Sequence, residues 1–169
     1  MATNWACAMS RSNQDPRELR EPGLALGRDP VRTPMPWDDS KNAGFTTAKP
    51  WLPLNADWPT RNVARMTEDS RSILTLYRRL LALRRDWLAL SIGDFVLLSG
   101  EDEILAYERR HAAERLIVAL NLGAQPHRLQ LLDWARGSRL LLSTEEDAPL
   151  VEGGAVLLRS NEAVVLKAG

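Results

Sequence analysis

The chain lacks nearly everything that redox or metal chemistry requires. One cysteine, Cys7, in 169 residues rules out an intrachain disulfide, and two histidines with no CxxC or clustered spacing leave no metal-ligand pattern. Neither charge is in excess: 22 Lys plus Arg stand against 22 Asp plus Glu, so no global field recruits nucleic acid or an anionic membrane. No stretch approaches the roughly 20 apolar residues of a membrane span. The start MATNWACAMSRSN has no basic opening and no long apolar run of a secretory leader. These absences set the expectation of a cytoplasmic protein with no cofactor, no metal site, and neither nucleic acid nor membrane as partner. The arginine pairs at 78–79, 84–85 and 109–110 lie among Leu, Glu and Asp in amphipathic segments and read as a solvated face, not as a phosphate track. His111 and His127 read as isolated loop residues with no Ser or Cys motif beside them. Glu145-Glu146-Asp147 reads as solvated charge in a turn between strands, not as a catalytic pair.

What is present is a rigid, charged and aromatic segment with no helical or strand period. In GRDPVRTPMPWDDSKNAGF, Gly27 to Phe45, Pro30, Pro34 and Pro36 fix φ and disfavour helix before them. Arg28, Asp29, Arg32, Asp38 and Asp39 supply forked donors and matching acceptors. The irregular stretch continues to Asn62, past the roughly 15 residues beyond which a loop usually serves a site. Trp37, Trp51 and Trp58 read as its anchors. Arg28 with Asp29 reads as a structural pair, and Asp38 or Asp39 as a turn cap.

On either side the pattern is more regular. Residues 1–12 show no period and are expected to lack fixed structure, and Asn13 to Gly23, broken by Pro16 and Pro22, holds at most one helical turn. A helix is predicted over about 69–87, capped by Asp69 or Ser70, with Ile73, Leu76, Tyr77, Leu80, Leu81 and Leu83 at three- and four-residue steps. Its wide apolar face requires a partner surface. After Gly93 the period falls to two: FVLLSG, ILAYERR, RLIVALNLG, HRLQLL, RLLLST, AVLLRS and AVVLKAG read as short antiparallel strands. Asn121 to Gly123 and Gly153-Gly154 read as turns, and Ser160-Asn161-Glu162 as the turn of a terminal hairpin.

GRDPVRTPMPWDDSKNAGF, with PWLPLN, Asn62-Val63, LYRRLLALRR and SIGDF after it, resembles the post-catalytic segment of the α-glucosidase, oligo-1,6-glucosidase and trehalose-synthase branch of glycoside hydrolase family 13. The resemblance covers everything after about Asn13. It implies an α+β chain: the tail of a (β/α)8 barrel over 1–88, with the active-site loop 27–62 and the last barrel helix, then an antiparallel β-sandwich C-terminal domain over 89–169. A complete barrel needs about 250 residues. Retaining glycosidases use two carboxyl groups roughly 5 Å apart, and the Arg-x-Asp, acid/base Glu and Asn-His-Asp blocks that carry them in the family have no counterpart here. No catalytic residue is therefore assigned, and the chain alone is expected to be inactive.

Arg32, in RTPM, matches the family position whose arginine reaches the glucose subsite and braces the acidic centre. The resemblance implies that it binds substrate in the complete enzyme. A guanidinium holds a carboxylate bidentately and stays charged, which suits that role; its chemistry alone favours an ordinary salt bridge to Asp29 or Asp38, and the motif match reverses that for the complete enzyme only. The implied activity is retaining hydrolysis of α-linked gluco-oligosaccharides, in company with a missing N-terminal barrel. Two alternatives stand beside it: a trehalose synthase-type isomerase, and a non-catalytic β-sandwich that stabilises or binds a separate barrel. For carbohydrate binding the strands offer Tyr107 and Trp134 as aromatic candidates.

Overall fold

The computed structural model describes residues 14–24, 27–100, 103–145, 147, 149, 151–152 and 154–169. The expectation for residues 1–12, Cys7 included, and the parts of the turn readings that involve Glu146 and Gly153, lie outside the described residues. The chain divides into two compact units, Met1–Thr75 and Leu76–Gly169.

Capping decides where helices occur in the first unit. The stretch between Pro16 and Pro22, read as loop with at most one helical turn, forms α1, Pro16–Arg20, where Pro16 presets φ and the Asp15 side chain accepts from the Arg17 amide. Helix α2, Val63–Glu68, starts at Asn62, a buried side chain that accepts from the Arg65 amide at 3.0 Å. Between them lie single 3-10 turns at Asp29–Val31 and Lys41–Gly44 and no strand among the described residues. Helix α3, Ile73–Asp86, begins later than the expected 69. Asp69 is extended, closes α2 through its amide and accepts from the Arg71 amide, so Ser72 caps α3 by accepting from Thr75 at 3.1 Å.

The second unit is the expected antiparallel sandwich, with one more strand than the seven predicted. Helix α3 gives way at Trp87 to α4, Leu88–Ile92. A Cβ at Gly93 would stand 2.5 Å from the Ala89 carbonyl oxygen and 2.7 Å from that of Arg110, so the exit from α4 requires glycine. The strands follow: β1 Asp94–Ser99, β2 Ile104–His111, β3 Glu114–Asn121, β4 His127–Gln130, β5 Arg139–Ser143, β6 Val151–Glu152, β7 Ala155–Leu158 and β8 Ala163–Lys167. His111 and His127 thus lie on strands and not in loops. The sheets have the orders β1-β2-β3-β8-β5 and β4-β7-β6.

Alternation along each strand assigns the faces. Ala106, Ile117, Ala119, Val164 and Leu166 of the larger sheet meet Val156 and Leu158 of the smaller in the core. The intervening residues, with Tyr107 opposite Val118 and Val118 opposite Val165, form the outer face.

The hairpin expected at 160–162 is not formed, because β7 pairs with β4 and β6 whereas β8 pairs with β3 and β5. The segment is instead the passage from one sheet to the other. Asn161 takes a left-handed conformation there (φ 56°), and Glu162 is fully buried. Its carboxylate accepts from the Arg159 amide at 2.8 Å, from the Arg159 guanidinium at 3.1 and 3.2 Å, and from the Ser143 hydroxyl at 2.7 Å. Burial raises the Glu162 pKa, but the Arg159 guanidinium, its amide and Ser143 together outweigh it, leaving the carboxyl below its ordinary 4.5.

The depressed value means Glu162 stabilises the fold fully above the unfolded pKa, and that contribution disappears as pH falls through the folded one. Glu162→Gln is expected to cost about 2 kcal/mol at neutral pH, the scale of hydrogen bonds to a charged group. Urea unfolding at several pH values checks this: the gap to the parent should close as pH falls below 4.5.

Candidate functional site

The segment from Gly27 to Asn62 is held at its start by carboxylates before it, and further along by its own. Glu18 of α1 accepts from the Gly23 amide at 3.2 Å and the Gly27 amide at 3.0 Å. Asp15, 2% exposed, takes both the amide and the guanidinium Nε of Arg28, at 3.1 and 2.9 Å. That guanidinium, with the Arg17 and Arg28 amides, holds the Asp15 carboxyl well below the usual carboxylate range, and the Arg28 pKa is raised in return. Asp29 accepts from the Gln14 and Asp15 amides at 2.6 and 3.0 Å. In place of the expected pair between Arg28 and Asp29 stands a clasp in which Arg28 grips the Asp15 carboxylate and Asp29 the amides of residues 14 and 15. The physical reason is the row of amides at the start of α1, which needs acceptors that Asp15 and Asp29 provide.

Downstream, backbone strain shapes the segment. Asn42, Ala43 and Gly44 are consecutive left-handed residues, with φ of 57°, 57° and 65°. Ala43 is fully buried and its carbonyl accepts from the amides of Trp37 and Asp38, at 2.8 and 3.4 Å. The Asn42 amide group donates to the carbonyls of Thr46 and Ala48. Asp38 does cap the turn, accepting from the amide and hydroxyl of Ser40, which lower its pKa. Asp39 reaches Arg65 at 3.6 Å. The carbonyls of Pro36 and Trp37 accept from Val63 and Ala64, so α2 begins against this turn.

Arg32 ends the 3-10 turn, its amide donating to the Asp29 carbonyl at 3.1 Å, and its side chain is exposed. The possible partners Asp29 and Asp38 are engaged elsewhere, and among the described residues no carboxylate pairs with Arg32. Trp37 and Trp51 are 50% and 73% exposed, so within this chain they anchor little, while Trp58 is half-buried. On the strands, Tyr107 packs against the Phe95 ring at 4.9 Å, and the Arg115 guanidinium covers Trp134 at 3.6 Å. Trp134 therefore offers at most one free face. Among the described residues no group of three or more His, Cys, Asp or Glu could hold a metal ion, and no helix is long and apolar enough to cross a membrane.

Sequence reasoning missed the clasp and the left-handed turn. Asp15-Pro16 is a readable cap signal, since Asp before Pro at the first helical position marks a helix start, but nothing local announces that Arg28 returns to it. Asn-Ala-Gly carries a glycine signal for Gly44 alone.

Comparison with known proteins divides the sequence between two family descriptions, meeting at residues 93–95 and not at 75–76. Residues 2–93 match the family description "Alpha amylase, catalytic domain", and residues 95–161 match "Maltogenic Amylase, C-terminal domain". An oligo-1,6-glucosidase of Parageobacillus thermoglucosidasius is 36% identical over 157 residues, covering 91% of this chain and 28% of that protein. A glucan 1,6-alpha-glucosidase of Streptococcus pneumoniae serotype 4 is 39% identical over 105 residues, 62% of this chain and 20% of its own length. Among solved structures, the trehalulose synthase of Pseudomonas mesoacidophila MX-45 superposes with a TM-score of 0.73 at 33% identity, covering 85% of this chain and 26% of that one.

The molecule thus joins a stretch of an alpha-amylase-type catalytic domain to a β-sandwich matching a C-terminal domain of the same kind of protein. The chain belongs to the alpha-amylase family, and it spans about a quarter of the length of the relatives it matches.

The strained turn gives a direct test of the loop. A Cβ on Gly44 would sit 2.7 Å from an Asp38 carboxylate oxygen, in a left-handed conformation that alanine adopts only with strain. Gly44→Ala is expected to destabilise the first unit by about 1–3 kcal/mol and to accelerate proteolytic cleavage between residues 36 and 48. Unchanged cleavage would show that the turn is not held as described.

Proposed function

We propose that this chain is the C-terminal part of an α-glucosidase-type hydrolase that cleaves α-linked gluco-oligosaccharides by a retaining double displacement when the rest of the catalytic domain is present. On its own it has no turnover. The two carboxyl groups that such a reaction requires, roughly 5 Å apart, come from that remainder. Arg32 contributes substrate binding. A guanidinium is a cation with forked donors, so in this role it favours the ionised form of a neighbouring nucleophilic carboxylate and donates to a sugar hydroxyl. The observation that carries the reading is the exposed Arg32 side chain without a carboxylate among the described residues, in a loop whose nearby acids Asp29, Asp38 and Asp39 are engaged elsewhere. The relatives named as oligo-1,6-glucosidase and glucan 1,6-alpha-glucosidase support the substrate class. The reading includes a cytoplasmic location, with neither nucleic acid nor membrane as partner.

A second reading, sugar rearrangement in place of hydrolysis, is favoured by the likeness to the trehalulose synthase. The discriminating experiment exchanges this chain for the matching stretch of the Parageobacillus thermoglucosidasius oligo-1,6-glucosidase and follows products from isomaltose and sucrose. Glucose release from isomaltose is the expected result, and rearranged sucrose would favour the isomerase. In that chimera Arg32→Ala should lower kcat/KM by about a hundredfold, the effect of losing one preorganised donor to the reacting centre, with Arg32→Lys recovering part of it. An Arg32→Ala chimera as active as its parent would remove Arg32 from the site.

A further inference from the structure

An enclosed cavity constrains its occupant more closely than an open face such as that of α3, where Tyr77, Leu80 and Leu81 are exposed. The β-sandwich holds such a cavity, of about 240 Å³, lined from both of the edge strands β1 and β4. Ala106 and Ile117, fully buried residues of the core, form its floor. A bulge in β1 builds one wall. Leu97 pairs with Tyr107 and Ser99 with Ala106, so Leu98 is the extra residue, and Leu98 and Ser99 both line the cavity where plain alternation would turn one of them outward. The other wall is Gln130 of β4 and the 3-10 turn Asp133–Ala135, which brings in Trp134. That ring is held in place: the Arg115 guanidinium lies 3.6 Å from its centroid, and the buried Glu108 carboxylate accepts from Arg115 at 2.6 Å. Neither member of that charged pair belongs to the lining.

We infer that this cavity binds one neutral aromatic ring bearing a single hydroxyl, a molecule of the phenol class, whose entry completes the packing of the sandwich core. The lining selects the class. No Lys, Arg, His, Asp or Glu contributes to it, so an ion would leave water without a partner. Spare polar capacity is confined to the Ser99 hydroxyl, the Trp134 Nε1–H and the side-chain oxygen of Gln130. The Gln130 Nε2 donates to the Gly154 carbonyl at 3.0 Å, and these three side chains make no other hydrogen bond among the described residues. Such a set suffices for one hydroxyl. It does not meet the several hydroxyls of a sugar, each of which forfeits its hydration on burial against leucines. Size narrows the class further, since an apolar cavity of roughly 150 Å³ holds a benzene molecule, and this larger one admits a ring with a substituent. Trp134 supplies an aromatic surface for that ring to pack against, offset or edge-on. The site lies within the second unit and is independent of Arg32 and of the proposed hydrolysis.

The test titrates the full 169-residue chain with p-cresol, toluene, benzoate and glucose, read by calorimetry and by the melting temperature. p-Cresol should bind one-to-one with a dissociation constant of about 1 mM or tighter and raise the melting temperature as its concentration rises. Toluene should bind as well, whereas benzoate and glucose should neither bind nor stabilise. Ser99→Ala should weaken p-cresol about fivefold, the scale of one hydrogen bond, and leave toluene unchanged. Ala106→Leu, which fills the floor, should abolish binding of both rings, and Ser99→Ala decides the matter where that variant does not fold. Absence of p-cresol binding overturns the inference. So does benzoate or glucose binding as tightly as p-cresol, or a folded Ala106→Leu chain that keeps the parent's affinity. An equal loss of p-cresol and toluene in Ser99→Ala overturns the assignment to phenols.

Discussion

The buried carboxylate of Glu162 sits where the architecture has least choice. Two sheets of one chain share a core only if the backbone crosses between them, and here the crossing from β7 to β8 occupies residues 159–162. A crossing takes backbone groups out of both ladders, and each buried group must then find a partner. Glu162 answers the Arg159 amide, while Asn121, 2% exposed, donates to the carbonyls of Arg159 and Gln125 and accepts from Gly123. The Arg159 guanidinium neutralises the acid and also donates to the Asp147 carbonyl. Ser143 ties the end of β5 to the same acid. One charged pair therefore fixes the entry of β8, the strand that links β3 to β5. A pair whose acid is fully buried and whose arginine is 38% exposed has the right asymmetry, since the arginine keeps part of its hydration while the carboxylate is satisfied by four donors.

The same logic in a different form governs the first unit. It has little regular structure, so its backbone amides are met by side chains: Asp15, Glu18, Asp29, Asp38 and Asn62 each accept from main-chain N–H groups. The three left-handed residues at 42–44 are tolerated because the Ala43 carbonyl and the Asn42 amide group are fully used. Strain held this firmly preserves the shape of the loop, and Arg32 lies on the part of it that is left exposed. Under the proposed role of Arg32 such a frame helps, because less ordering is left for binding to accomplish.

How much of this could be read from the residues follows from the range over which each interaction acts. The strands, α3 and the loop character of 27–62 were legible because period two, period 3.6 and proline act within a few positions. Helix starts were less so: Asp69 and Ser70 look like caps, and Ser72 wins only because Asp69 is already closing α2. The crossing at 159–162 looked like a hairpin since Ser-Asn-Glu between two apolar runs is turn chemistry, and which sheet each run joins depends on partners dozens of residues away. The Asp15 clasp on Arg28 failed for the same reason, the local pair Arg28-Asp29 being the nearer candidate. For the site, Arg32 came from motif likeness, and no period or composition would have selected it over Arg28.

The exposed face of α3 also bears on how the chain stays in solution. Equal numbers of acidic and basic residues give no net repulsion between molecules, so an open apolar patch beside the unpaired edge of β1 is a liability if nothing covers it. Asp94 opens that edge strand and Leu97 is followed by a register shift before Ser99, and both features discourage edge-to-edge addition of another strand. Protection is thus applied to the edge and withheld from the face. Where only self-association had to be avoided, charges on the outward positions of α3 would serve, and arginines are abundant in that helix. They stand beside the leucines without replacing them, so the helix keeps its apolar period alongside its charge.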